Sequence, residues 1–217
     1  MSYLEEISKA VFDGDEAKTA ELVQKAVDEG KNIHELLDKG LVQGLRDCGA
    51  GFEKGEKFIP EMLMAAESMK AAMVILKPLL LADAEGEGPD AGHAVLATVE
   101  GDVHDIGLEL VATMLETAGI KVHNMGPDVP TDDVIAAVKE EKPQILGLSA
   151  LLSNTMDVMP EILERLEKEG LRDSLKVMIG GAPVKQDFCD EIGADGYAYD
   201  ASAAVPKAKE LLAQLKG

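Results

Sequence analysis

The reading turns on HAVLATVEGDVHDIGLEL, His93 to Leu110. Seven apolar or small residues, His93 to Val99, have the composition of a buried strand. A helical pattern begins near Ile106. Between them lies EGDVHDIG, a strand-end loop with His104 flanked by Asp102 two residues before and Asp105 one after. A capping turn accounts for the carboxylates but leaves the histidine incidental. An Asp two residues from a His has a chemical use: a carboxylate bonded to one ring nitrogen fixes the tautomer and makes the other nitrogen a better metal donor or general base.

Outward from this loop, the C-terminal half alternates strictly. HAVLATV, KVHNMG, QILGLSA, LKVMIGG and ADGYAY are five short apolar runs. They are separated by GLELVATMLETAG, TDDVIAAVKEE, TMDVMPEILERLEKEG and VKQDFCDEIG, and followed by ASAAVPKAKELLAQLK. Such alternation predicts βαβ crossovers and a parallel sheet covered on both faces. Ligands of such sheets bind beyond the carboxyl ends of the strands. Those ends here are residues 100–107, 126–130, 149–155, 180–183 and 199–202. Gly101, Gly107, Gly147, Gly180, Gly181 and Ala182 sit at or near them. Each alone reads as a tight turn; together they read as room for something long lying along the sheet edge.

The N-terminal half has a different grammar. From Tyr3 to Leu81 the apolar residues recur at spacings of three and four, and four or five short helices joined by glycine-bearing turns are predicted. Asp13 and Asp15 around Gly14, and Asn32 before Ile33, read as turn and N-cap positions, and Pro60 as a first-turn proline. The run ADAEGEGPDAG, Ala82 to Gly92, has no periodicity and reads as a linker. The boundaries drawn are a helical bundle over 1–85, a linker over 86–92 and an α/β domain over 93–217.

Composition narrows the partners. With 41 acidic and 21 basic residues the net charge is −20, which disfavours nucleic acid and anionic membranes. Aromatics are 3% of the chain and tryptophan is absent, so stacking is not how a ligand is held. No run approaches ~18 uncharged apolar residues. The N-terminus lacks the layout of a secretion signal, and two cysteines, Cys48 and Cys189, read as reduced apolar thiols. The expectation is a cytoplasmic protein. There is no GxGxxG after the first strand and no GxxxxGK[ST] anywhere, so neither a dinucleotide nor a P-loop site is expected. A binuclear metallophosphoesterase also uses Asp-x-His at a strand end, but Asn124 is followed by Met125 and no histidine lies beyond His123.

Asp102-Val103-His104-Asp105-Ile106-Gly107 is followed after 41 residues by Ser149-Ala150-Leu151, and after 28 more by Gly180-Gly181. This resembles the DxHxxG…SxL…GG signature of cobalamin-binding domains, including the cobalamin module of methionine synthase. The preceding EKGEKFIPEMLMAAESMKAAM resembles the helical cap of corrinoid methyl-carrier proteins, which serve methanol, methylamine and betaine methyltransferase systems. The resemblance covers nearly the whole chain. It implies a flavodoxin-like (Rossmann-like) five-stranded parallel sheet behind an all-α cap, with a cobalamin or related corrinoid as cofactor.

It further implies that His104 is the axial cobalt ligand in place of the cofactor's own base. Asp102 then backs His104, and Thr155, with Ser153 as substitute, completes a relay. Gly101, Val103, Asp105, Ile106, Gly107, Ser149, Leu151, Gly180 and Gly181 would line the cofactor and its tail. Met62 and Met69, on a stripe with Met73, Leu76 and Leu80, and Leu63 beside it, would face the other side of the corrin; the bland reading of that stripe is bundle core. The implied function is to carry a methyl group between a substrate-specific methyltransferase and an acceptor methyltransferase acting on a thiol or a pterin. The cobalt would cycle between cob(I)alamin and methylcob(III)alamin, with a reductive activase in support and the linker as hinge. A cobalamin sensor or storage module is the alternative, and the lack of an output segment favours the carrier.

Overall fold

In the computed structural model, which describes residues 2–83 and 92–216, the chain divides into two compact units, Met1–Asp83 and Ala84–Gly217. The first is all helical. Its elements are α1 (Tyr3–Asp13), α2 (Glu16–Asp28), α3 (Ile33–Glu35), a π-helical stretch (Leu36–Val42), α4 (Gln43–Glu53) and α5 (Ile59–Asp83). Local chemistry sets the ends. The Ser2 hydroxyl accepts from the Glu5 amide while the Glu5 carboxylate accepts from the Ser2 amide, a capping box. Gly14 ends α1 in the left-handed region, the Asp15 side chain caps α2, and the Asn32 side chain accepts from the amides of His34 and Glu35.

Two expectations are corrected here. The helices are not uniformly short: α3, the π stretch and α4 run on without a break, and α5 has 25 residues. The glycines within them do not all make turns. A Cβ on Gly44 would lie 2.4 Å from the Ser8 carbonyl oxygen and 2.8 Å from Val11 Cβ, so glycine lets α1 lie directly against α4. A Cβ on Gly49 would meet nothing within 4 Å. Gly44→Ala is therefore expected to destabilise the helical unit by about 1–3 kcal/mol through overpacking. Gly49→Ala should stabilise it by up to about 1 kcal/mol through helix propensity. Opposite shifts of the urea midpoint check the pair.

The second unit contains β1 (Gly92–Thr98), α6 (Ile106–Thr117), β2 (Ile120–Asn124), α7 (Thr131–Glu141), β3 (Ile145–Ser149), α8 (Val158–Lys168), β4 (Lys176–Gly180), α9 (Gln186–Ile192), β5 (Gly196–Ala198) and α10 (Ala201–Lys216). The five strands are parallel in the order β2-β1-β3-β4-β5. Alternation along each strand feeds two apolar layers. Val95, Ala97, Leu146, Leu148, Val177 and Ile179 pack with α7 and α8, while Ala94, Leu96, Ile145 and Met178 pack with α6 and α10. This is the predicted all-α plus flavodoxin-like α/β architecture. The strand order reverses between β1 and β3, so the crevice lies at their carboxyl ends.

Of the predicted linker, Ala82 and Asp83 belong to α5 and Gly92 opens β1; residues 84–91 lie outside the described residues. Cys48 and Cys189 are buried, and burial pushes both thiols up from their ordinary value. Among the described residues no helix is long and apolar enough to cross a membrane.

Candidate functional site

The crevice between β1 and β3 is where the predicted loop residues meet. The loop after β1 leaves the sheet at Val99, which bridges to Val129, and turns at Gly101, whose φ of 82° is open to glycine. Asp102 then points inward and is fully buried, while the His104 side chain remains 45% exposed. One oxygen of Asp102, Oδ1, accepts from the His104 amide at 3.1 Å and lies 2.7 Å from the ring's Nδ1. The other, Oδ2, accepts from the amides of Leu151 (2.6 Å) and Leu152 (3.0 Å) and from the Thr155 hydroxyl (2.8 Å). The loops after two adjacent strands are thus joined through one carboxylate.

Burial works against the charge of Asp102. The His104 ring, the two amides and the Thr155 hydroxyl outweigh it and hold the carboxyl at about 2, below its ordinary 3.8. Asp102 is consequently an anion at neutral pH, and its Oδ1 is an acceptor for a proton placed on Nδ1 of His104. That assignment leaves Nε2 with the lone pair. The Thr98 hydroxyl donates to the His104 carbonyl at 3.3 Å, fixing the loop from the strand side.

The remaining predicted residues divide. Asp105 stands at the N-cap of α6, and Ile106 and Gly107 form its first turn. A Cβ on Gly107 would meet nothing within 4 Å, so open space lies beside it. Val103, Leu151 and Ser153 are exposed at the same edge, and Ser149 is half-buried at the end of β3. Thr155, not Ser153, supplies the hydroxyl to Asp102.

Three glycines have a packing reason beside the one expected. A Cβ on Gly147 would come within 2.4 Å of Leu96 Cδ2, one on Gly180 within 2.9 Å of the Ala198 carbonyl oxygen, and one on Gly181, at φ 116°, within 1.8 Å of the Ala150 carbonyl oxygen. At Gly180 and Gly181 the neighbour is backbone, so the protein's own packing favours glycine there; at Gly147 it is the end of the Leu96 side chain. Gly181 lets the start of the loop after β4 lie directly against Ala150, and the Ala150 amide donates to the Gly180 carbonyl; Gly180 itself gives room to the Ala198 carbonyl of β5.

In the helical unit, Met69 is fully buried in the core with Leu76 and Leu80, so its expected contact with a cofactor is corrected to a packing role. Met62 is partly buried, its sulfur 3.5 Å from Cys48 Sγ, and Leu63 is exposed beside Phe58 and Ile59.

Some contributors were not anticipated. Leu152 acts through its backbone amide, which no side-chain pattern reveals. Asp128 accepts from the Gly101 amide at 2.7 Å, and Tyr199 is a large exposed residue at the end of β5. A turn signal, Gly126-Pro127-Asp128, does mark the Asp128 loop.

The donor set restricts the chemistry. Among the described residues, no three His, Cys, Asp or Glu side chains are grouped so as to hold a metal ion. A bare ion is therefore poorly served. One imidazole nitrogen on a supported ring suits a metal that arrives with its other ligands already in place. Val103, Leu151, Leu152 and Tyr199 give the same unit exposed apolar surface at the strand ends.

Comparison with known proteins agrees. Residues 92–206 match the family model of the B12 binding domain, and residues 3–77 match a second model of the same description. The chain is 44% identical over 210 residues to the dimethylamine corrinoid protein of Methanosarcina barkeri, covering 97% of each chain. It superposes on the monomethylamine corrinoid protein of Methanosarcina barkeri with a TM-score of 0.89 and 36% identity, over 96% of this chain and 98% of that one. A structure of a methanol:cobalamin methyltransferase complex, also from Methanosarcina barkeri, matches with a TM-score of 0.54 and 32% identity, over 97% of this chain and 80% of that one.

Proposed function

The chain belongs to the corrinoid proteins of methyltransferase systems, with cobalamin as cofactor, and from that premise we propose that it shuttles a methyl group between two methyltransferases with His104 as the axial ligand of cobalt. The observation that carries this reading is the bonding of Asp102. A buried carboxylate lies 2.7 Å from Nδ1 of His104, and a proton held between the two leaves Nε2 as the donor nitrogen of a half-exposed ring. The residues fit a corrinoid: there is one presentable nitrogen, apolar surface at Val103, Leu151 and Leu152, and open space beside Gly107.

When bound, cobalamin supplies the transfer chemistry, its cobalt accepting a methyl group and giving it up while alternating between the +1 and +3 states. The protein's own residues set how firmly the imidazole is offered. Thr155 and the amides of Leu151 and Leu152 fix the Asp102 carboxylate, Asp102 orients the ring, and Nε2 faces the ligand. Were the ring to leave a metal, Nε2 would be open to a proton, with the Asp102 carboxylate 2.7 Å from Nδ1 to face the charge. Ligation and protonation would thus compete for the same nitrogen.

The methyl donor is read from the partner enzyme, not from this chain. Methylated amines are the first donors to try, since relatives of this length are dimethylamine and monomethylamine corrinoid proteins. A second methyltransferase, acting on a thiol or a pterin, would complete the system, with a reductive activase in support.

The test is an EPR spectrum of the protein loaded with cob(II)alamin, with and without nitrogen-15 in its histidines. Superhyperfine splitting that changes on labelling supports the reading. Splitting from the cofactor's own base, indifferent to the label, would overturn it.

A further inference from the structure

Asp128 is one of two non-glycine residues with positive φ among those described, at 56°; the other, Lys142, ends α7 as a left-handed cap. A residue with a side chain stays in that conformation where its surroundings over-determine it, and such positions gather at functional sites. The determinants here are two hydrogen bonds to consecutive residues of the loop after β1. Asp128 Oδ1 accepts from the Gly101 amide at 2.7 Å, and the Asp128 amide donates to the Asp102 carbonyl at 2.8 Å. Next to them the Val129 amide donates to the Thr98 carbonyl, and Val99 bridges Val129.

The strand order gives this arrangement its meaning. β1 lies between β2 and β3, so the loop that carries His104 is flanked by the loops of both neighbours. The β3 loop holds the Asp102 side chain through Leu151, Leu152 and Thr155, whereas the β2 loop holds the Asp102 backbone through Asp128. Gly101, at φ 82°, is the flexible point between β1 and Asp102, and its amide is the group that Asp128 engages.

We infer that Asp128 is a positioning residue for His104: its carboxylate latches Gly101 so that the Asp102–His104 pair is presented in one orientation. This rests on the reading of His104 as the cobalt ligand. Asp128 touches neither the imidazole nor, on that reading, the cofactor; it acts by fixing the peptide from which both side chains of the pair project.

Three substitutions separate backbone from side chain. Asp128→Asn keeps an acceptor oxygen and tolerance of the left-handed region; Asp128→Gly keeps the conformation without the acceptor; Asp128→Ala loses both. Two readouts are taken on the full chain. One is hydrogen exchange of the Gly101 amide in the apoprotein. The other is the fraction of bound cob(II)alamin carrying a nitrogen-15-sensitive protein nitrogen.

In Asp128→Gly, Gly101 exchange is expected to rise about tenfold, and the ratio of protein-ligated to unligated cobalt to fall by about the same factor, the worth of one hydrogen bond to a charged group. Asp128→Asn should restore both, and Asp128→Ala should be at least as impaired as the glycine variant. Faster Gly101 exchange with unchanged ligation would make the latch merely structural and refute the positioning role, as would unchanged exchange in Asp128→Gly or failure of asparagine to rescue. If the wild-type protein itself shows no protein nitrogen on cobalt, the functional reading fails first, before any substitution is made, and the positioning role falls with it.

Discussion

His104→Ala is expected to abolish the label-sensitive splitting of bound cob(II)alamin and to weaken corrinoid binding by more than about 10–100-fold. That range is the typical loss when only the residues supporting a metal ligand are disturbed, so removing the ligand itself sets it as a floor. The fold should survive. The His104 ring is half-exposed, its hydrogen bond is to Asp102, and Asp102 keeps four other donors: the amides of residues 104, 151 and 152 and the Thr155 hydroxyl. The stability change is expected to be about 1–3 kcal/mol, the worth of one hydrogen bond to a charged group, which unfolding in urea measures. Added imidazole supplies the decisive control, because the truncated side chain leaves a space of the ring's own shape next to Asp102. With unlabelled imidazole, an axial nitrogen should return that no longer responds to labelling of the protein. A variant that retains label-sensitive splitting without imidazole would show that another histidine binds the cobalt.

The pairing of Asp102 with His104 was legible because it is local: two residues in one loop, with an acid and a base that have a use for each other. The partner Thr155, 53 positions from Asp102, came from the resemblance, since nothing in periodicity brings it there. The Leu151 and Leu152 contacts were hidden for a different reason. They are made by backbone amides, and the side chains of Leu151 and Leu152 carry no mark of it. Asp128 was visible as a turn residue, yet its role depends on β2 lying beside β1, which the alternation of strands and helices leaves undetermined. The glycines have a reason that only the packing reveals. Gly147, Gly180 and Gly181 gather near the carboxyl ends of the strands, and within the protein the atoms they accommodate are Leu96 and the carbonyls of Ala198 and Ala150, a reason that sequence alone does not show. Met69 failed on another ambiguity. α5 is apolar on most of its circumference, burying Met69, Leu76 and Leu80 while leaving Leu63, Val74 and Leu81 exposed, so spacing alone could not choose its inner side.

Asp102→Asn tests the tautomer, and the geometry dictates which way the new amide must turn. On the Oδ2 side two backbone amides and the Thr155 hydroxyl all donate, and the backbone donors cannot reverse. The asparagine oxygen must therefore occupy that side, and its NH₂ must face the His104 ring. Nδ1 then has to accept, so the ring proton moves to Nε2, the nitrogen that the cobalt needs free. The NH₂ also meets the His104 amide, a second donor that loses its acceptor. About 1–3 kcal/mol of stability should be lost for that unsatisfied group. Protein-ligated cobalt should fall about 10–100-fold although His104 is intact and the fold is retained. Asp102→Ala provides the contrast. It leaves the amides of Leu151 and Leu152 and the Thr155 hydroxyl without their common acceptor and should cost more stability, yet it does not force a donor against Nδ1, so the ring remains free to carry its proton on either nitrogen. Ligation per folded molecule should accordingly be better in Asp102→Ala than in Asp102→Asn, the reverse of their order in stability. EPR on the loaded variants and urea unfolding of the apoproteins read the two orders separately. If asparagine ligates as well as aspartate, Asp102 does not set the tautomer, and the coupling between the proton on Nε2 and the hold of the ring on cobalt loses its physical basis.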